Sequence, residues 1–283
     1  MNRVACVQTA SGTDVEANLT AAAADVRRAG EEGATLIALP ECVAYRSGDS
    51  GVRAVARPDA DNPMLDGLRA LAAETSVWLL VGSLPVLADD GRIWNRSYLL
   101  DDGGAVRAHY DKIHMFDVDL AGEERHRESA VYRPGERAVV VPTPFGRIGM
   151  TVCYDVRFPQ LYRHLAKAGA EILTVPANFT EQTGRAHWHV LLRARAIETG
   201  CYVVAPAQAG TYGNGRRSFG HSLVVGPWGE ILADGGDEVG VVLAEIEPTR
   251  VAAARAMVPS LTHDRPFDAP EPARDQAVRR TGS

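Results

Sequence analysis

Three residues with side chains suited to catalysis each follow an apolar or strand-like stretch of the chain. Cys153 follows the apolar run 148–152, Glu41 follows the apolar run 35–39 and a proline, and Lys112 closes the stretch 106–112. A thiol at the end of a strand is held rigidly and stays open to substrate, which is typical of a nucleophile. The three residues lie far apart in the sequence, so only the fold could bring them together.

The three residue types together predict acyl transfer through a thioester. A thiol is mostly protonated near neutral pH and needs a base or a nearby cation. Glu41 can take the proton of Cys153 and later return it to a leaving amine. Lys112, as an ammonium ion, favours the thiolate and can hold an oxyanion, for which the backbone N–H of Tyr154 is a second donor. Water is the usual second nucleophile, and this chemistry needs no metal.

Strands and helices alternate along the chain, which predicts a layered α/β fold. Asp14 can cap a first helix, and the fully apolar run 35–39 is typical of a strand buried on both faces. Further helices are predicted at 63–75, 159–168 and 186–199, and further strands at 4–8, 77–81, 93–100, 106–112, 148–152, 171–175, 201–205, 221–225, 231–233 and 239–246. The residues with catalytic side chains thus stand at predicted strand ends, where α/β active sites lie.

The composition excludes several classes of protein. The chain has 283 residues with a net charge of −6, so it lacks the basic excess that nucleic-acid binding requires. No apolar stretch is long enough to span a bilayer, and the N-terminus does not resemble a signal peptide. We therefore expect a cytoplasmic protein with no nucleic-acid or membrane partner.

The cysteines and histidines do not form a recognisable metal motif. The four cysteines (Cys6, Cys42, Cys153 and Cys201) contain no C-x-x-C pair, which excludes zinc ribbons and thioredoxin-type sites. The segment His187-Trp188-His189 has no carboxylate or cysteine at a fitting spacing, so packing is the favoured interpretation. We expect no cofactor and no metal. One domain is predicted over 1–265, followed by a polar tail at 266–283 that is disordered or packed on a partner subunit.

The chain resembles the nitrilase (carbon–nitrogen hydrolase) superfamily, whose members use a Glu-Lys-Cys triad. Segments 39–41, 110–114 and 149–159 match the glutamate, lysine and cysteine motifs of that family, in the expected order. The resemblance covers roughly residues 3–265 and assigns the triad to Glu41, Lys112 and Cys153. It also assigns a second glutamate, which positions the lysine and helps to position substrate, to Glu128. It implies a four-layer αββα sandwich with two central mixed sheets and helices outside, and a homodimer or higher homo-oligomer.

Within this superfamily the chain is most similar to the Nit1/Nit2-like amidase branch, which holds deaminated-glutathione amidase and ω-amidase. The similarity implies hydrolysis of a terminal amide of a small carboxylate-bearing substrate, with release of ammonia. Arg157 follows the nucleophile by four residues and could bind such a carboxylate in a bidentate manner. Phe116, Phe179 and Thr183 could line the same pocket.

Other interpretations of these residues stay open. Arg157 could instead form a structural ion pair with Asp155. The same triad could serve an N-carbamoyl-amino-acid amidohydrolase, which also needs to bind a carboxylate, or a soluble acyltransferase that passes the thioester to an amine. A binding protein without catalytic activity would keep the fold but would not label selectively at Cys153 with an electrophilic thiol probe.

Overall fold

The computed structural model describes residues 2–47, 51–120, 125–213 and 215–269. Across these residues strands and helices alternate, and two large mixed sheets form the centre of the molecule. Residues 270–283 of the predicted tail lie outside the described ranges, so the boundary between domain and tail stays a prediction.

The first sheet holds the strands that precede Glu41 and Lys112. Its strands are β1 (Asn2–Gln8), β2 (Leu36–Ala38), β3 (Trp78–Leu87), β4 (Ile93–Leu100), β5 (Val106–Asp111), β8 (Tyr132–Arg133) and β17 (Gly240–Ile246). Their order is β17-β1-β2-β3-β4-β5, and β8 pairs with β4. Strands β1, β2 and β3 are parallel, whereas β17, β4 and β5 join antiparallel.

The second sheet holds the strand that precedes Cys153. Its strands are β9 (Val139–Thr143), β10 (Gly146–Met150), β11 (Ile172–Thr174), β12 (Tyr202–Ala205), β15 (Leu223–Val225) and β16 (Ile231–Asp234). Their order is β16-β15-β12-β11-β10-β9, with β10, β11 and β12 parallel. Two hairpins lie outside these sheets: β6 (Asp117–Asp119) with β7 (Arg125–Arg127), and β13 (Ala209–Tyr212) with β14 (Arg216–Phe219).

The helices cover the outer faces of both sheets. They are α1 (Val15–Glu31), α2 (Val52–Val55), α3 (Pro63–Thr75), α4 (Pro159–Lys167), α5 (Glu181–Thr199) and α6 (Thr249–Met257). Helices α1 and α3 pack on the first sheet, and α4 and α5 pack on the second. Short 3-10 helices cover Asp59–Asp61, Glu128–Ala130, Cys153–Arg157 and Ser260–Thr262.

The alternation of side chains along β1 explains the layering. Val4 and Cys6 point into the core between the two sheets, where Ile148 of β10 also lies. Ala5 and Val7 point the other way, into the core between the first sheet and its helices. Successive residues of a strand face opposite sides, so a strand buried on both faces is apolar throughout. The predicted αββα sandwich is confirmed.

Local signals predicted some helix ends and missed others. Helix α3 has its predicted bounds because Asn62 accepts a hydrogen bond from Leu65 N–H at 3.3 Å and Pro63 occupies the first turn. Helix α5 begins at Glu181 rather than at 186. A glycine at position 184 is unfavourable in a helix, so the sequence pattern predicted a later start. In the structure Phe219 packs directly against Gly184, where the Cβ of any other residue would lie 2.2 Å from the ring.

Candidate active site

The side chains of Glu41, Lys112 and Cys153 lie together between the two sheets. Glu41 follows β2 and Lys112 follows β5 in the first sheet, whereas Cys153 follows β10 in the second. Lys112 Nζ lies 3.0 Å from Glu41 Oε1, and the Cys153 thiol is hydrogen-bonded to the Glu41 carboxylate. None of the three residues is more than 6% exposed. Two layers of the sandwich therefore have to stack before the three groups can meet.

A second carboxylate completes the surroundings of Lys112. Nζ donates to both oxygens of Glu128 at 2.8 Å. The side-chain amide of Asn95, on β4, donates to Glu41 at 2.9 Å and to Glu128 at 3.1 Å. No motif in the sequence pointed to Asn95, although an asparagine that is buried in a strand needs hydrogen-bond partners.

Close backbone packing fixes the position of Glu41. Gly82 of β3 lies against the chain just before Glu41, where a Cβ would be 2.1 Å from the Leu39 carbonyl oxygen. The other carboxylate oxygen of Glu41 accepts a hydrogen bond from Asn178 N–H at 2.8 Å. Both oxygens of the carboxylate are therefore oriented by fixed donors.

The two carboxyls of the cluster differ in pKa. Burial alone would raise the pKa of Glu41, but the Lys112 ammonium and hydrogen bonds from Cys153, Lys112 and Asn178 bring it below its usual value. Burial raises the pKa of Glu128, Lys112 opposes this rise, and the nearby Glu41 charge adds to it, so its pKa stays above the usual value. Glu41 is therefore the carboxylate that is ionised and able to accept a proton.

The resting forms of the lysine and the cysteine follow from the same charges. Burial would lower the pKa of Lys112, but Glu128 and Glu41 hold it well above its usual value. Burial and the Glu41 charge raise the pKa of Cys153 well above its usual value, although Lys112 opposes them. These directions favour the ammonium form of Lys112 and the thiol form of Cys153, with the Glu41 carboxylate as the proton acceptor beside the sulfur.

A strained turn carries Cys153. Its backbone lies in the left-handed region with φ of +49°, at the start of the 3-10 helix Cys153–Arg157. The buried carboxylate of Asp155 holds this turn by accepting from Val152 N–H at 2.9 Å, Tyr110 Oη at 2.7 Å and His114 N–H at 3.1 Å. Asp155 thereby ties the cysteine turn to the segment around Lys112.

The backbone N–H of Tyr154 is available at the nucleophile. The neighbouring N–H groups of Cys153 and Asp155 donate to the carbonyls of Pro176 and Val152, at 2.9 and 3.1 Å. Within the described ranges no acceptor receives the Tyr154 N–H. An N–H next to the nucleophile, free of an acceptor, is what an oxyanion site requires.

A cavity of about 110 Å³ opens onto the triad side chains. Phe116, Phe179 and Thr183 line it, where the sequence analysis expected them. The remaining lining residues are Cys42, Ser47, Asn95, His126, Arg127, Tyr132, Tyr154, Asn178, Thr180, Tyr212 and Arg216, together with the triad and Glu128. Apart from Tyr154, which belongs to the cysteine motif, these residues could not be predicted from a motif, and several lie in the short strands β7, β8, β13 and β14.

Arg157 does not line this cavity. Its guanidinium lies 3.2 Å from His187 Nδ1 and stacks over the rings of Phe179 and Tyr154, at 5.3 and 5.8 Å from their centroids. The ion pair with Asp155 is also not formed, because Asp155 bonds His114 and Tyr110 instead. Arg157 is thus not paired with Asp155, and its guanidinium lies against Phe179 and Tyr154, two aromatic residues that line the cavity.

One group of side chains in the described ranges could hold a metal ion. His189, His221 and Asp234 bring their ligand atoms within 4.8 Å of one another. The Asp234 carboxylate lies 2.9 Å from His189 Nε2 and 2.8 Å from His221 Nδ1, so the group is already joined by hydrogen bonds. None of the three residues lines the cavity with Cys153.

Known proteins match this chain over most of its length. The model of the carbon–nitrogen hydrolase family matches residues 3–256. Deaminated glutathione amidase of Yersinia enterocolitica is 42% identical over 265 residues, which are 93% of this chain and 92% of that protein.

No helix in the described ranges is long and apolar enough to cross a membrane.

Solved structures agree with the sequence matches. Nit3 of Saccharomyces cerevisiae, a member of branch 10 of the nitrilase superfamily, superposes with a TM-score of 0.84 at 31% identity, covering 94% of this chain and 97% of that one. An amidase from Nesterenkonia, solved with acrylamide added to its active-site cysteine, gives a TM-score of 0.78 at 28% identity, covering 91% and 98%. With the family model and these relatives spanning nearly all of its length, the chain belongs to the carbon–nitrogen hydrolase family of the nitrilase superfamily.

Proposed function

We propose that this protein hydrolyses an amide bond of a small carboxylate-bearing substrate through a thioester on Cys153. The observation that carries the proposal is the buried cluster in which one ammonium ion joins two carboxylates beside a thiol. Lys112 lies within 3.0 Å of both glutamates, and Glu41 accepts the thiol hydrogen bond. This cluster contains a nucleophile, a base and an oxyanion donor within one small cavity.

In the proposed first half-reaction, Glu41 takes the Sγ proton as the sulfur attacks the amide carbon. The carbonyl electrons move onto oxygen, where Lys112 Nζ and Tyr154 N–H stabilise the charge. The carbon–nitrogen bond then breaks, and the proton held by Glu41 leaves with the amine. The acyl group remains on Cys153 as a thioester.

In the second half-reaction, Glu41 takes a proton from water as the water attacks the thioester carbon. The same two donors stabilise the second oxyanion. The carbon–sulfur bond breaks, the proton returns from Glu41 to sulfur, and the product leaves as a carboxylic acid. Glu128 takes no proton in this scheme and serves to hold Lys112 in place.

Deaminated glutathione is the first substrate to be tried, because several relatives carry the name deaminated glutathione amidase at about 40% identity. An ω-amide such as α-ketoglutaramate is the second. N-carbamoyl-β-alanine tests the carbamoyl alternative. Comparing kcat/KM across the three measures how well the site binds each transition state.

Replacing Cys153 with alanine tests the mechanism. We expect kcat to fall by at least about 10³-fold, because no other nucleophile replaces the thiol. Mass spectrometry of the unmodified protein with substrate should show the acyl adduct on Cys153. Cys201→Ala is the matched control, since Cys201 is a buried thiol outside the cavity. Undiminished hydrolysis by a folded Cys153→Ala protein would exclude the mechanism.

The acyltransferase alternative differs only in the second nucleophile. Adding an acceptor amine and analysing the products separates the two: a new amide indicates transfer, whereas the free acid indicates hydrolysis. We propose hydrolysis because the chain resembles amidases.

The expected homodimer has support from exposed apolar side chains. Val190 and Ile197 are 67% and 55% exposed on one face of α5, and Met257 at the end of α6 is 64% exposed. Apolar side chains grouped in this way are typical of an interface. We propose that these helices pair with those of a second copy. Light scattering measures the molar mass in solution and distinguishes a monomer from a dimer or a larger oligomer.

A further inference from the structure

The catalytic cluster itself offers no free cation to an acidic substrate. Lys112 is held between two carboxylates, with Glu41 at 3.0 Å and Glu128 at 2.8 Å. A substrate carboxylate close to this cluster would meet negative charge. If the substrate bears a carboxylate, as proposed above, a second cation of the cavity wall has to bind it.

Among the described residues, two further side chains on the cavity wall are cationic at neutral pH, Arg127 and Arg216. Arg127 is occupied: its guanidinium binds both oxygens of Asp119, at 2.7 and 2.9 Å, and donates to the Val118 carbonyl at 3.1 Å. Arg216 donates to the Arg125 carbonyl at 3.2 Å and forms no ion pair in the described ranges. A guanidinium has five N–H donors, and within the described ranges only one acceptor, the Arg125 carbonyl, receives a hydrogen bond from Arg216.

The hairpin that carries Arg216 is tied to the catalytic cluster. Ser218, two residues further along β14, donates to the side-chain oxygen of Asn178 at 2.5 Å. The backbone N–H of Asn178 in turn donates to Glu41 at 2.8 Å. Arg216 pairs across the hairpin with Tyr212, which also lines the cavity. The strand that carries Arg216 is thus joined through Ser218 and Asn178 to Glu41.

We propose that Arg216 binds the carboxylate of the substrate and so selects amides that carry an acidic group away from the bond that is cleaved. This inference rests on the proposed amidase function and assigns the role to Arg216 in place of Arg157, which does not line the cavity and contacts His187 at 3.2 Å. A planar guanidinium binds a carboxylate through two parallel hydrogen bonds, which fixes orientation as well as charge.

The test compares one acidic and one neutral substrate. Glutaramate carries a carboxylate opposite its amide, and a neutral aliphatic amide of the same chain length does not. For Arg216→Met we expect kcat/KM for glutaramate to fall by about 10- to 100-fold, the usual effect of losing hydrogen bonds to a charged group. We expect the value for the neutral amide to stay within about twofold. Because the contact is remote from the reacting bond, most of the loss should appear in KM.

Arg217→Met is the matched control. Arg217 is the next residue of the same strand, is exposed, and faces Glu181 at 3.7 Å instead of the cavity. Its removal should leave both substrates unaffected. An equal loss for the acidic and the neutral amide in Arg216→Met would show a structural role and overturn the inference. A selective loss in Arg157→Met but not in Arg216→Met would return the role to Arg157.

Equilibrium binding separates this inference from the proposed function. Glutarate, the acid that hydrolysis of glutaramate would yield, can be titrated into each variant by calorimetry. Binding that weakens about tenfold or more in Arg216→Met but not in Arg217→Met supports the inference even if neither amide is hydrolysed. Equal binding by the two variants would overturn it, and absence of hydrolysis by the unmodified protein would count against the amidase function alone.

Discussion

Replacing Lys112 with methionine should destabilise the folded protein by about 3 kcal/mol at pH 7, and by less in acid. Lys112 is 2% exposed, and its Nζ lies 3.0 Å from Glu41 and 2.8 Å from both oxygens of Glu128. Methionine keeps much of the packing, but the two buried carboxylates lose their shared counter-charge. Removing one partner of a buried ion pair usually costs about 3–5 kcal/mol.

Proton uptake limits this loss. One of the two carboxyls can become neutral, and Asn95 keeps both of them close together. A carboxyl with an ordinary pKa of 4.5 must hold its proton about 2.5 pH units above that value at pH 7. At about 1.4 kcal/mol per pH unit, this costs about 3.5 kcal/mol, which sets the upper end of the expected loss.

The sign of the pH dependence follows from the same proton. Above pH 4.5 the folded variant holds a proton that the unfolded chain has released, so its stability falls by about 1.4 kcal/mol per pH unit as the pH rises. In the unmodified protein the pKa of Glu41 is lowered, so Glu41 stabilises the fold above the unfolded pKa and this contribution is lost as the pH falls. The two proteins should therefore differ most at pH 7 and least near pH 4.5.

Urea unfolding followed by circular dichroism at pH 5, 6 and 7 measures the difference. Lys167→Met, which removes a half-exposed lysine paired with Asp264, is the control and should change the free energy of unfolding by less than about 0.5 kcal/mol. The double variant Lys112→Met/Glu128→Gln should recover part of the stability, since one carboxylate then remains, but no hydrolysis. A loss for Lys112→Met that is the same at pH 5 and pH 7 would refute the reasoning.

Two further changes test how the site is positioned. Asp155→Asn should reduce the free energy of unfolding by about 2–3 kcal/mol, because the new amide NH2 would face groups that donate hydrogen bonds to the carboxylate in the unmodified protein. Tyr110→Phe removes only one of these donors and should cost about 1 kcal/mol. Equal losses for the two variants in urea unfolding would contradict this account. Gly82→Ala should lower kcat at least about tenfold, because the added Cβ would lie 2.1 Å from the Leu39 carbonyl oxygen and displace Glu41. Moving a catalytic group by about 1 Å can lower a rate by about 10²-fold. Gly67→Ala, on the exposed side of α3 with nothing within 4 Å, is the control and should stabilise the protein by up to about 1 kcal/mol; unchanged kinetics for Gly82→Ala would count against the close packing.

Several elements could be predicted because neighbouring residues decide them. Helix α3 begins where Asn62 caps it and Pro63 occupies its first turn, and apolar stretches precede Glu41 and Cys153. Each of these features depends on a few neighbouring residues, so it can be identified from the sequence alone. Short strands such as β9 and the β13–β14 hairpin were missed. Their stability comes from partners elsewhere in the chain rather than from their own pattern.

Arg157 shows where a sequence pattern stops being informative. Its spacing of four residues from Cys153 would place both on one face of an α-helix, but the segment forms a 3-10 helix. With three residues per turn, a residue four positions further on lies about 120° around the axis. In the structure the guanidinium contacts His187 on α5 and does not line the cavity.

The sequence by itself determined a layered α/β fold and three residues with catalytic side chains at strand ends, because strand ends and motifs are local features; the family and the αββα arrangement followed from the resemblance that those motifs carry. Only the tertiary structure decided that Asn95 joins the two carboxylates and that Arg216 lines the cavity. These residues lie on strands and hairpins that are far apart in the sequence. Their relative positions depend on how the strands pair and pack, which is set by the whole core and not by any single segment.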